Sequence, residues 1–433
     1  MVSEKDRDSC GFQVCSGPDA DAKQQRRQVV LSLLCFAPIG GSKGYIGHLQ
    51  EAQENDMNLG ISKNTVREQQ AAYAAAGAKQ DHALVRELWA IEGRSDRFHV
   101  QRIAMRSGLP VKWLSVPPSV NGERGMDKLM EERNVLLLRD RKSPFIEQFQ
   151  HPLGRCAKFY KLTAYHNCNF WCGYCYLYLT FRVCPVSTHF VNYDRMFKDI
   201  EKFDRQNIPD ALRVLNLGEL GDPLAVDDVT GLSEQLVPFM PTHAPHMKLL
   251  FLTKSDCVRN LLEMKHGGQT IVSFSVNTDK VWQYLEHRTP APTDRLKAAR
   301  KVQDAGYEVR LRIDPVVRYS TWEKDYRRLT EMIFDHVEPS RITIGEYRPA
   351  EGLSSHIKTR LPESSLLKVN GSLITEAGKL RYPREYRIEM FRAIADGIRR
   401  CDKKVQIALC KETPQVWKEA DLNGKGLCCN CTG

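Results

Sequence analysis

From Lys158 onward, short apolar runs alternate with longer stretches in which apolar residues recur every three or four positions. The short runs, bounded by turn formers, read as strands, and the longer period reads as amphipathic helix. Strands are expected at 158–164, 212–217, 247–253, 271–276, 308–314 and 341–346. Helices are expected between them at 193–205, 229–238, 256–264, 293–305 and 322–335. Strand and helix alternating at this spacing predict an α/β fold with a parallel sheet covered by helices. Six units are too few to close an eight-stranded barrel, so an open, partial (β/α)6 barrel of the TIM type is expected across 151–350.

The pattern is weaker on either side. Residues 1–95 are polar and rich in Gln, Ala and Asp, partly helical or disordered, with one predicted helix from Thr65 to Glu92 that Gly93 would stop. Residues 96–150 form a basic lead-in containing Pro117-Pro118 and a strand candidate from Val135 to Leu138, expected to pack on the barrel. Residues 351–433 make a C-terminal region with a Cys-rich tail. The stretch Val29 to Ile39, after Arg26-Arg27, begins late for a signal core and lacks a good cleavage site, so it reads as a short packed or disordered segment. No apolar run approaches the roughly 18 residues of a membrane span, and a cytoplasmic protein is expected.

Charge and cysteine content narrow the classes. A formal net charge of +10 over 433 residues permits a nucleic-acid partner without establishing one. Fourteen irregularly spaced cysteines suggest a reducing compartment rather than a disulfide framework.

Three of those cysteines carry the chemistry. Residues 168–176 read Cys-Asn-Phe-Trp-Cys-Gly-Tyr-Cys-Tyr, so Cys168, Cys172 and Cys175 are spaced C-x3-C-x2-C on one aromatic-rich loop. Three thiolates on a short loop suit three corners of a 4Fe-4S cube and leave one iron open as a reaction site. A zinc knuckle would need a second pair, and only Cys184 follows within about 40 residues. The loop also follows a strand end, where the active sites of β/α barrels lie.

The segment Cys168, Cys172, Tyr174, Cys175, Tyr176, Leu177 matches the C-x3-C-x-Y-C-Y-L signature of spore photoproduct lyase and its relatives among the radical S-adenosylmethionine (radical SAM) enzymes. The resemblance continues through Phe251-Leu-Thr-Lys254, Lys265-His-Gly-Gly268, Phe274-Ser-Val-Asn-Thr-Asp279 and Asp304-Ala-Gly-Tyr307, covering roughly 130–350. It implies the same partial barrel, a 4Fe-4S cluster, and S-adenosylmethionine chelated to the open iron. It also implies reductive cleavage to a 5′-deoxyadenosyl radical, an electron donor such as flavodoxin or ferredoxin, and a thymine lesion in DNA as substrate.

Cofactor contacts are expected at successive strand ends. Glu219, in Gly218-Glu219-Leu-Gly221-Asp222-Pro223, resembles the G-G-E element that receives the methionyl ammonium; an ordinary turn with a solvated Glu is the plainer reading. Lys254 closes the apolar run Leu249 to Thr253 and resembles the lysine that binds the cofactor carboxylate, against a snorkelling surface Lys. Ser275 and Asn277 match the family's S-[IV]-N-[ST]-D segment and share a face by the two-residue period, where ribose hydroxyls or one another would satisfy them. Arg310, Arg312 and Asp314 alternate with Val309, Leu311 and Ile313 and line the substrate side only if that face points inward.

Tyr174 and Tyr176 bracket the last loop cysteine, and the resemblance makes them a hydrogen relay back to the cofactor; packing over the cluster is the alternative. At one position the match breaks. The family carries a hydrogen-donating cysteine in the loop after the second strand, and aligning S-D-P with Gly221-Asp222-Pro223 puts Glu219 in its place. Either Cys184 or Cys257 substitutes, or the reaction differs: a radical SAM enzyme on an RNA base, a peptide or a small metabolite. A non-catalytic, metal-containing nucleic-acid-binding protein is the third reading. In the tail, Cys410, Cys429 and Cys431 are the better set for a second metal or cluster, with free thiols as the alternative.

Overall fold

The computed structural model describes residues 84–118, 134–149, 158–181, 184, 186–353, 369, 373–376, 379–422 and 429–433. Its strands are β1 (Glu87–Ile91), β2 (Val111–Leu114), β3 (Val135–Arg139), β4 (Ile146–Phe149), β5 (Phe159–Leu162), β6 (Tyr165–His166), β7 (Trp171–Cys172) and β8 (Ser187–Phe190). They continue as β9 (Val214–Asn216), β10 (Lys248–Thr253), β11 (Thr270–Ser275), β12 (Glu286–His287), β13 (Glu308–Val316) and β14 (Arg341–Glu346). A hairpin of β15 (Ile374–Glu376) and β16 (Lys379–Arg381) precedes β17 (Gln406–Leu409).

Eight strands form one mixed sheet in the order β17-β14-β13-β11-β10-β9-β5-β4. Every neighbouring pair is parallel except the antiparallel β4 and β5. The edge strands β17 and β4 do not pair with each other, so the sheet is open. The six predicted strands are all present, and β17 joins them from the run Val405 to Leu409. One face of the sheet is apolar: Leu215, Leu249, Phe251, Val272, Phe274, Leu311 and Ile344 pack beneath the helices Tyr193–Asp204, Pro292–Asp304, Trp322–His336 and Arg384–Cys401. By the two-residue period the other face carries Asn216, Ser273, Arg310, Arg312 and Thr343. That polar face is covered by the segment Cys429–Gly433, whose Asn430 bonds to Ser273 and Thr343.

Three expectations are corrected. The helix predicted from Thr65 to Glu92 falls outside the described residues up to 83, and its end is instead strand β1. Leu88, Trp89, Ala90 and Ile91 are all buried, and the strand lies parallel between β2 and β3, a setting that suits a continuous apolar run. The helix at 229–238 splits at Gly231, whose φ of 58° ends Asp227–Thr230 and starts Leu232–Leu236. At 256–264 only one 3-10 turn, Arg259–Leu261, forms. Upstream of it Thr253 Oγ1 accepts from Ser255 N, and Ser255 Oγ from Cys257 N, two side-chain bonds that compete with a helical start.

A second sheet, β2-β1-β3-β8-β6, draws strands from both sides of the expected boundaries at 95/96 and 150/151. It brings the strand before the cysteine loop, β6, alongside β8. Among the described residues no helix is long and apolar enough to cross a membrane.

Candidate active site

The cysteine loop is fixed at both ends. Asn167 has a φ of 66°, a conformation that Asn tolerates better than most residues, and its Oδ1 accepts from Cys168 N at 3.0 Å. Further on, β7 pairs antiparallel with β12, setting Cys172 opposite Glu286. The Tyr174 hydroxyl donates to Glu286 Oε1 at 2.5 Å, and Arg295 Nη1 lies 2.6 Å from Glu286 Oε2. Arg295 and Glu286 are 0% and 1% exposed. The same guanidinium donates to the carbonyls of Ser275 and Pro290 and to Thr289 Oγ1. Burial alone would raise the Glu286 carboxyl, but Arg295, Lys254 and the Tyr174 hydroxyl hold it below its ordinary value.

The three thiols lie within electrostatic reach of one another. Burial pushes all of them up, Cys172 to about 12 and Cys175 to about 11. Lys254 pulls Cys172 and Cys175 the other way, and its ammonium stands 5.7 Å from the Tyr174 ring centre. Two buried phenols, Tyr165 and Tyr178, adjoin the thiols, and among the described residues their hydroxyls have no hydrogen-bond partner. Buried phenols ordinarily find an acceptor. Thiolates and sulfides at this loop would provide one, so the residues fit an iron–sulfur group. Among the described residues no three His, Cys, Asp or Glu side chains converge on a single metal ion. A cube places its ligands on separate irons, so that geometry is not required here.

Asp222 clamps the neighbouring strand ends. Its carboxylate accepts from Thr253 Oγ1 at 2.7 Å, Lys254 N at 2.6 Å, and Leu224 N and Ala225 N at 3.0 Å. Gly221 lets this loop press against the cysteine loop: a Cβ there would fall 2.3 Å from the Asn167 carbonyl and 2.7 Å from the Tyr165 ring. Gly221→Ala should therefore lower stability by about 1–3 kcal/mol and reduce reconstituted iron, measured by thermal unfolding and an iron assay. Wild-type values of both would show that the two loops do not need this contact.

Glu219 lies on the same loop as Asp222, within electrostatic reach of Tyr165 and Tyr176. Its carbonyl accepts the Tyr176 hydroxyl. Its carboxylate lies within electrostatic reach of Arg312, Lys411 and Cys431. Ser275 is buried at the end of β11. Asn277 lies beyond that end, with Nδ2 donating to the Pro315 carbonyl at 2.7 Å and Oδ1 accepting from Tyr326 at 2.9 Å. Its amide thus bonds to Pro315 and Tyr326 rather than to Ser275. Arg310 and Arg312 are buried on the polar face. Asp314 faces Arg348, at 3.4 Å.

The two thiols considered as substitutes lie in different surroundings. Cys184 packs with Trp89, Ile91, Val135 and Leu137 on the smaller sheet. Cys257 lies among Asp227, Asp228 and Asp256, and burial pushes its thiol up. Among the described residues the tail cysteines form no three-ligand metal group, although the Cys429 and Cys431 thiols hydrogen-bond to one another. Arg312 donates to Cys431 Sγ at 3.3 Å and to Cys410 Sγ at 3.9 Å, so a cation already stands between them. Glu286, Arg295, Asp222, Tyr165 and Tyr178 were not singled out in the sequence. Only the aromatic richness of the loop hinted at the phenols; nothing local marks the buried Glu286–Arg295 pair.

A profile described as spore photoproduct lyase matches residues 119–348, just over half of the chain. The spore photoproduct lyase of a Geobacillus species is 29% identical over 212 residues, 48% of this chain and 62% of that protein. The Bacillus subtilis protein of the same name is 30% identical over 167 residues, 39% and 48% respectively. The chain thus matches less than two thirds of the length of these curated relatives. A solved spore photoproduct lyase complexed with dinucleoside spore photoproduct superposes with a TM-score of 0.64 at 20% identity, covering 76% of this chain and 99% of that one. A variant with bound AdoMet and the same dinucleoside gives the same score, identity and coverage. At that identity the likeness is one of fold.

Proposed function

We propose, for a chain that belongs to the spore photoproduct lyase family, a radical SAM enzyme that acts on thymine photolesions in DNA. The observation that carries this reading is the cysteine loop: three mutually close thiols, flanked by Lys254 and by two phenols unpartnered among the described residues. A 4Fe-4S cluster with S-adenosylmethionine at its open iron supplies a 5′-deoxyadenosyl radical when bound. Cys168, Cys172 and Cys175 would hold the cluster, and Tyr165 and Tyr178 would hydrogen-bond to it. Lys254, Glu219 and Ser275 are the proposed contacts to the cofactor. The open parallel sheet with helices on its apolar face is read as the partial (β/α)6 barrel of such enzymes.

Tyr174 and Tyr176 lie on either side of Cys175 and are held differently. Glu286 fixes the Tyr174 hydroxyl by a partly buried hydrogen bond, whereas Tyr176 is 39% exposed with its hydroxyl on the Glu219 carbonyl. Tyr176 is thus the better placed of the two to exchange a hydrogen atom with a bound group. A lesion must leave the base stack to reach such a site, and a damaged step flips out at lower cost. Basic residues would grip the flanking phosphates, making binding salt-dependent. A flavodoxin- or ferredoxin-class protein would deliver the electron, and a cytoplasmic setting suits the reduced thiols.

Anaerobic turnover with a defined thymine lesion tests the reading: S-adenosylmethionine should be cleaved and the lesion repaired. Cleavage with the lesion untouched would favour a different substrate, an RNA base, a peptide or a small metabolite; Glu219 in the donor cysteine's place favours that second reading. No cleavage at all would favour a non-catalytic nucleic-acid-binding protein. Lys254→Ala and Glu219→Ala should each weaken S-adenosylmethionine binding by about 1.5–3 kcal/mol in calorimetry, with cluster iron unchanged, because each removes a charged partner of the methionyl group. Unaltered affinity in both variants would move the cofactor to other strand ends.

A further inference from the structure

The segment Cys429–Gly433 is built into the polar face of the large sheet by side chains from several strands. Asn430 is fully buried: its Nδ2 donates to Ser273 Oγ at 2.7 Å and to the Leu311 carbonyl at 2.8 Å, and its Oδ1 accepts from Thr343 Oγ1 at 2.7 Å. Arg310, 1% exposed, donates to the Asn430 carbonyl at 3.0 Å, and Arg341 donates to the Cys429 carbonyl at 2.8 Å. A segment so held gives its side chains fixed directions.

Cys431 is thereby held beside the end of β9, where Asn216 Oδ1 also accepts from Gly218 N at 2.7 Å. Its Sγ accepts from Arg312 Nη2 at 3.3 Å and from Asn216 Nδ2 at 3.6 Å. Arg312 is 7% exposed and its Nε has no partner, so its hydrogen-bonding capacity is not exhausted by the groups around it. Glu219 lies within electrostatic reach of the Cys431 thiol, and the Glu219 carbonyl holds Tyr176, the residue after Cys175. Two residues therefore link the thiol to the cysteine loop. Cys431 is a partly buried residue, and its thiol also shares a hydrogen bond with that of Cys429.

An S–H bond gives up a hydrogen atom to a carbon radical readily, and the Glu219 carboxylate cannot do so. We infer that Cys431 is the hydrogen-atom donor to the substrate radical, an inference that rests on the radical reading above. The Cys431 S–H bond breaks homolytically, a C–H bond forms on the substrate carbon that held the unpaired electron, and a thiyl radical remains. One electron from the flavodoxin- or ferredoxin-class reductant converts the thiyl to a thiolate, which the Arg312 cation stabilises. A solvent proton then restores the thiol.

Thiol hydrogens exchange with solvent, so turnover of the dinucleoside spore photoproduct by the reconstituted full chain in D2O should give repaired product carrying solvent deuterium. Cys431→Ala and Cys431→Ser should each lower that product, per S-adenosylmethionine consumed, by about tenfold or more, with radical-trapped adducts in its place. Cys401→Ser, at the exposed end of the helix Arg384–Cys401, should behave as wild type. A second measurement needs no turnover: in the unreduced holoprotein, iodoacetamide should alkylate Cys431 slowly, because Cys429 and burial hold the thiol protonated, and the dinucleoside at ten times its Kd should slow this about tenfold further. Wild-type yield of deuterated product from Cys431→Ala, or equal alkylation with and without the dinucleoside, overturns this inference alone. A wild-type chain that cleaves S-adenosylmethionine and leaves the lesion unchanged overturns the lesion reading and this inference with it.

Discussion

Replacing Cys168, Cys172 and Cys175 together by Ala should give a colourless protein after anaerobic reconstitution and reduce S-adenosylmethionine cleavage to background, a loss of at least about 10⁶-fold. On the reading proposed above, the three thiols would be the cluster's protein ligands. The same variant should bind no metal elsewhere, because Arg312 occupies the space between Cys410 and Cys431. Iron content, the absorption spectrum and a 5′-deoxyadenosine assay check both statements. Full cleavage by this variant would remove the cluster from the loop. Iron or zinc that survives it, and is lost when Cys410, Cys429 and Cys431 are also replaced, would restore a second metal site.

Arg295→Met should destabilise the protein by about 3–5 kcal/mol, because it strands a buried carboxylate without its partner. The effect should extend to the site. Glu286 faces Cys172 across the β7–β12 pairing and holds the Tyr174 hydroxyl, so a shift of Glu286 disturbs the loop directly. Denaturant unfolding should show the loss, with reduced iron binding beside it. Adding Glu286→Gln should recover part of the stability, since removing both charges costs less than removing one. A single variant as stable as wild type would show that water reaches the Glu286 carboxylate and that the pair is not a buried one.

What the sequence made legible was local. Apolar runs such as Leu249 to Thr253 and Thr270 to Ser275 place strands within a residue or two, since a strand buried on both faces needs a continuous run. The cysteine loop was legible because its ligands lie within eight residues. The illegible parts depend on partners far apart in the chain. Strand β1 looked helical until β2 and β3 flanked it. Asn277 looked like a cofactor contact, yet its atoms go to Pro315 and Tyr326, some forty and fifty positions on. Glu286 and Arg295 are close in sequence, but their burial arises only when β12 meets β7. Cys431 reaches Asn216 across 215 positions, a contact no spacing could announce.

That last contact also orders events during synthesis. Ser273, Leu311 and Thr343 leave the ribosome well before Asn430, so their polar face stays solvated while the sheet's apolar face is already covered by helices. Strands β5 to β14 and the cysteine loop are all synthesised before Cys431. With Cys431 as the donor, a chain in that state that had loaded its cofactors would still lack the thiol needed to quench a radical, so delayed electron delivery would protect it until the Cys431 segment had docked on the sheet.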